Sequence, residues 1–155
     1  MKKFLLFLMA VALLLGFNYK LDNTIFTQKK PNNFYYTNLL AKNLTLSSPV
    51  KCTIEENNFH DEMNLNKDNI KDIKNMLSTL NKKNFIAKPK NLPKKSAYRI
   101  SFTFNKEKLL IDVYNEKYLS IYPWDGDYPM DYLDTSNIPA SLNLYYLGKY
   151  IFKQY

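Results

Sequence analysis

Ala97-Tyr98-Arg99-Ile100-Ser101-Phe102-Thr103-Phe104 alternates without a break. Tyr98, Ile100, Phe102 and Phe104 fall on one side and Arg99, Ser101 and Thr103 on the other, the period-two signature of a strand with one buried face. A turn at Asn105-Lys106-Glu107-Lys108 leads to a second strand with Leu109, Ile111 and Val113 inward, and Asn115-Glu116-Lys117 leads to a third over 118–122. Consecutive strands joined by short turns make an antiparallel meander. A meander with one apolar face needs a cover before it is stable in water.

The cover is found upstream. Ile70, Ile73, Met76, Leu77 and Leu80 recur at helical spacing behind Asn66, a good N-cap, and define an amphipathic helix. Tyr36, Leu39, Leu40 and Leu44 suggest a shorter helix that ends near Ser47-Ser48-Pro49. Cys52 alternates with Val50 and Ile54 on a strand, 57–66 reads as a polar loop, and 85–87 reads as a short strand. Pro89 and Pro93 mark a connection among Lys88, Lys90, Lys94 and Lys95. Ile138-Pro139 opens a terminal helix carrying Leu142, Tyr145, Tyr146, Leu147, Tyr150 and Ile151. The expected fold is α+β: an antiparallel meander of three to five strands packed against an amphipathic helix, with a C-terminal helix.

At 155 residues, with 46% apolar and 15% aromatic side chains, the chain suits one domain with a closed core and is too aromatic for a disordered one. Residues 1–19 read as a signal peptide or N-terminal membrane anchor: Met1-Lys2-Lys3, then an unbroken apolar stretch from Phe4 to Phe17. As a helix that stretch spans roughly 21 Å, against a hydrocarbon core of roughly 30 Å. Residues 20–33 form a polar tether, and 34–155 form the domain. The expected location is extracytoplasmic, secreted or anchored to the outer face of the cytoplasmic membrane.

Chemistry is constrained by scarcity. One Cys and one His leave no disulfide framework, no Cys/His zinc cluster and no conventional nucleophile triad. His60 lies in a loop without a partner Cys, Ser or second His. Cys52 reads as a small buried hydrophobe, since Lys51 points to the opposite strand face. The densest unusual stretch is 122–134, in which Asp125, Asp127, Asp131 and Asp134 lie beside Trp124, the sole tryptophan. Asp125-Gly126 is first a tight-turn signal, with Gly supplying a positive φ. Tyr122, Trp124, Asp125, Asp127 and Asp131 are the candidate ligand or partner contacts. The spacing of Asp125, Asp127 and Asp131 matches no EF-hand loop, so no metal and no cofactor are assigned. Tyr114, Tyr118 and Tyr122 share the non-core face of the meander, where the terminal helix is expected to cover them.

Charge is uneven along the chain. Residues 20–99 carry +8 and residues 100–155 carry −2. The lysine-rich half points to an anionic lipid surface or an anionic cell-wall polymer, with an envelope protein as a further partner. Nucleic acid is not expected, because Arg99 is the only arginine among 22 basic residues and base readers rely on arginine forks. The resulting function is a non-catalytic binding or interaction module of the cell surface or envelope. The alternative is an envelope hydrolase using the carboxylates of the Trp124–Asp134 loop.

The strings Phe34-Tyr35-Tyr36-Thr37-Asn38-Leu39-Leu40, Asn84-Phe85-Ile86, Leu92-Pro93, Ile121-Tyr122-Pro123-Trp124-Asp125-Gly126, Met130-Asp131-Tyr132 and Asn143-Leu144-Tyr145 resemble a clostridial family of uncharacterised secreted proteins of about this length. Its members are provisionally labelled lipoproteins, and the similarity covers Phe34 to Phe152. The resemblance implies an extracytoplasmic, surface-associated protein and transfers no catalytic residue. Leu13-Leu14-Leu15-Gly16 looks like the lead-in to a lipidated cysteine, but Phe17 stands where that cysteine would be.

Overall fold

The computed structural model describes residues 29–153. Residues 1–19, read above as a signal peptide or membrane anchor, and most of 20–33, read as a tether, lie outside the described residues. Three helices, α1 (Tyr35–Leu46), α2 (Lys67–Thr79) and α3 (Leu144–Ile151), accompany seven strands: β1 (Lys51–Glu56), β2 (Asp61–Asn64), β3 (Phe85–Ile86), β4 (Tyr98–Thr103), β5 (Lys108–Val113), β6 (Tyr118–Pro123) and β7 (Asp131–Asp134). The strands form one sheet in the order β2-β1-β4-β5-β6-β7-β3, with every neighbouring pair antiparallel. The α+β class therefore holds, and the expectation of three to five strands is corrected to seven.

The meander lies at the centre of this sheet. Ile100 pairs with Ile111 and Ile111 with Ile121, so the three apolar rows align on one face. Tyr36, Leu40, Ile73, Met76 and Leu144 meet those rows from the three helices in a single core. All three helices therefore sit on one side of the sheet. Asn66 caps α2 by the expected route: its side chain accepts from the Asn69 N–H and its own N–H donates to Asn69 Oδ1.

Three local expectations change. The polar loop at 57–66 contains β2, whose four residues are all exposed, and the chain turns into it through His60 at φ 61°. The terminal helix does not start at Pro139; a 3₁₀ turn spans Ala140–Leu142, and α3 begins after Asn143, whose side chain accepts from the Tyr145 N–H. Nor does α3 cover the tyrosine face. Gly148 abuts the Tyr98 ring, and Tyr145 and Phe152 flank the same ring, which places α3 on the core side with the other helices. The opposite face carries Arg99, Asp112 and Tyr122 as a hydrogen-bonded cluster: Arg99 donates to both Asp112 oxygens at 2.7 and 3.2 Å and Tyr122 donates at 2.7 Å.

Cys52 is buried, and burial pushes its thiol up to about 12. No helix among the described residues is long and apolar enough to cross a membrane.

Candidate functional site

The end of the sheet where β5 begins and β6 ends carries a cleft of about 470 Å³, bounded by α1, the 106–108 turn and the 123–128 loop. Its architecture follows from one aromatic side chain. Tyr36, on the buried side of α1, sends its hydroxyl into the 123–128 loop, accepting from the Tyr128 N–H at 3.0 Å and donating to the Tyr128 carbonyl at 3.3 Å. Burial raises the Tyr36 hydroxyl above its ordinary pKa and keeps it a donor. Tyr35 packs edge-on against both Tyr36 and Tyr128, so three rings build the cleft floor.

Gly126 belongs to this arrangement for a reason other than the one read from sequence. Neither Gly126 nor Gly148 has a positive φ. A Cβ at Gly126 would lie 2.4 Å from Pro123 Cγ and 2.9 Å from the Tyr36 hydroxyl. The residue is glycine because the loop closes tightly on Tyr36, not because the backbone is left-handed.

Trp124 stands at the mouth. Its backbone N–H donates to the Lys108 carbonyl at 2.8 Å, the Lys108 ammonium lies 4.5 Å from the indole centroid, and 67% of the residue is exposed. Phe59, Tyr146 and Tyr150 are also exposed, but of these four aromatics Trp124 is the one that lines the cleft. Asp125 and Asp127 flank it, both exposed and both outside any ion pair among the described residues. On the far wall, Glu107 accepts from Asn43 Nδ2 at 2.8 Å, which ties the 106–108 turn to α1.

The five candidate contacts thus separate. Trp124, Asp125 and Asp127 share the cleft. Tyr122 follows the core-facing Ile121 on β6, so strand alternation turns it to the opposite sheet face, where it is spent on Asp112; Trp124 lies past the end of β6, outside that alternation. Asp131 is also elsewhere. It is 1% exposed, its Oδ1 accepts from Lys30 Nζ at 2.5 Å and its Oδ2 accepts from both the N–H and the hydroxyl of Thr37 at 2.7 Å. Phe34 at the start of α1 has no side chain that can cap, so Asp131 reaches across from β7 to do it. Neither residue is available to a ligand in the cleft. Among the described residues no group of three or more His, Cys, Asp or Glu side chains is placed to hold a metal ion. Tyr35, Tyr36 and Lys108, which complete the cleft, were not singled out by sequence; Phe34-Tyr35-Tyr36 opening a helix was the signal for the first two.

The fold and cleft define a class: a two-layer α+β domain whose helices cover one face of an antiparallel sheet and whose aromatic cleft opens at the sheet end. The chain belongs to the family described as "Domain of unknown function (DUF4883)", whose model matches residues 30–148. It is similar to a solved protein, the "Putative Lipoprotein from Clostridium perfringens", at 32% sequence identity and a TM-score of 0.71, over 81% of this chain and 100% of that one. The clostridial resemblance drawn from the sequence strings is therefore correct. No curated protein matches the chain.

Proposed function

We propose that this is a non-catalytic binding module of the cell surface or envelope, and that the Trp124 cleft is its ligand site. The observation that carries the reading is the two-thirds exposed indole of Trp124 in a cleft that three tyrosines also line. An aromatic face with carboxylate acceptors at its rim suits a sugar ring, whose C–H face stacks while its hydroxyls donate. Two things support the extracytoplasmic setting: the leader at 1–19 and the description of the solved relative as a putative lipoprotein. The hydrolase reading loses Asp131, whose oxygens are both committed, and retains only two exposed rim carboxylates.

Trp124 is the only tryptophan, so emission excited at the red edge of the absorption band, where the 13 tyrosines do not absorb, reports its surroundings. Titration with soluble peptidoglycan fragments should shift and saturate the emission, and Asp125→Asn with Asp127→Asn should weaken the response without loss of fold. Saturable binding to cell walls with no change in emission would remove the cleft from the function.

A further inference from the structure

Between Asp72 and Glu107 lie 34 residues with nine cations and no carboxylate: Arg99 and eight lysines. Lys82, Lys83, Lys88, Lys90 and Lys94 are exposed, and none is within ion-pair distance of a carboxylate among the described residues. Asp131, Glu62, Asp112 and Asp134 pair instead with Lys30, Lys51, Arg99 and Lys117. A free surface lysine is ordinary. Five on one uninterrupted segment are not.

The topology fixes how they are displayed. β3 and β4 are parallel, because each is separated from the other by an even number of antiparallel pairings, and they stand four positions apart in the sheet. At about 4.8 Å per strand the connection between them spans about 19 Å and has to pass across a face. Residues 87–97 make that connection, stiffened by Pro89 and Pro93 and closed at its end by Asn57, which donates to the Ser96 carbonyl and hydroxyl. Lys88, Lys90 and Lys94 lie on this connection, and Lys82 and Lys83 on the 3₁₀ turn that leads into β3, so all five form a track on an anchored segment rather than on a loose tail.

We propose that the Lys82–Lys94 track docks a linear phosphodiester polymer of the type that clothes a cell wall. Deepening the envelope reading, it rests on that reading only for where the polymer is met. Lysine offers point charges suited to repeated phosphates without base readout. The track lacks what a membrane surface would use, since no large apolar side chain from 82 to 95 is exposed for insertion beside the charges.

The test uses the protein in the form the cell leaves it, with three immobilised or vesicular probes: delipidated poly(glycerol phosphate), phosphatidylglycerol vesicles compared with neutral ones, and single-stranded DNA. A variant with Lys82, Lys83, Lys88, Lys90 and Lys94 changed to Gln is compared with one in which Lys42, Lys67, Lys71, Lys74 and Lys149 are changed, which has the same net charge. The track variant should lose poly(glycerol phosphate) affinity by roughly tenfold or more at low salt and show a shallower salt dependence, while the control stays close to wild type. Equal losses in both variants would overturn the proposal, as bulk charge would then suffice. A greater charge-dependent affinity for phosphatidylglycerol vesicles, or tighter DNA binding than polymer binding, would overturn it in favour of a membrane or a nucleic acid. Polymer binding lost in the track variant supports this inference whether or not Trp124 emission changes, and the peptidoglycan titration judges the cleft separately.

Discussion

Asp131→Asn tests the link that joins the start of α1 to the loop beside the cleft. The wild-type carboxylate, with its side chain fully buried, serves Lys30, itself 15% exposed, and Thr37. Breaking a buried pair by removing one partner costs about 3–5 kcal/mol. Asparagine keeps one oxygen for the Thr37 N–H, which retains part of a cap interaction worth about 1 kcal/mol, but it turns its amide donors toward the Lys30 ammonium. The expected loss is about 2–3 kcal/mol, or roughly 8–12 °C in Tm for a domain of this size. Lys30→Met should cost less, about 1–2 kcal/mol, because Thr37 still donates twice to the carboxylate. Urea unfolding followed by far-UV circular dichroism on both single variants and the double variant gives the coupling energy, expected at about 1–2 kcal/mol. A loss under about 0.5 kcal/mol for Asp131→Asn at unchanged urea dependence, or strictly additive single effects, would refute the cap and the ion pair together.

Gly148→Ala should destabilise the fold by about 1–3 kcal/mol in the same assay, because the new methyl would lie 2.5 Å from the Tyr98 ring, which is 2% exposed and stacked with Phe152. Trp124→Ala should leave stability within about 1 kcal/mol, as an exposed indole contributes little beyond its contact with Lys108, while abolishing capture of the cleft ligand. Alkali should unfold the domain early. Burial holds Cys52 at about 12 against 9.0 and Tyr98 at about 12 against 10.0, so the folded state keeps protons that the unfolded state sheds. The associated stability is intact below about pH 9 and is lost as pH climbs toward 12, at about 1.4 kcal/mol per pH unit for each group once its unfolded form ionises. Unfolding midpoints measured from pH 8 to 11 should fall accordingly, and Cys52→Ala should flatten the curve between pH 9 and 10.

What was legible in the sequence was whatever one strand or helix could state by itself. β4, β5 and β6 alternate cleanly, and α2 carries both its apolar stripe and its cap within 13 residues. β7 was hidden because Asp131 faces the core, breaking the apolar pattern; the groups that make a buried carboxylate tolerable come from Lys30 and Thr37, far off in sequence. β2 was hidden for the opposite reason: as an edge strand it buries nothing, so Asp61-Glu62-Met63-Asn64 has no face to advertise. The cleft was half visible. Trp124, Asp125 and Asp127 announced it by density, but its floor comes from α1, and no local pattern ties Tyr36 to Tyr128 across 92 residues.

The cap of α1 also dictates an order of events. The helix lies near the start of the domain, yet the acceptor for its first turn arrives 94 residues later, and the Lys30 partner 101 residues later. The far edge of the sheet has the same dependence, since β3 finds its only neighbour in β7. A chain emerging from its N-terminus therefore carries an uncapped first helix and an unpaired early strand until almost all of it has been delivered, and then closes both at once. Such a domain stays open while it is being synthesised and locks only once β7 is available, a schedule set by contact order.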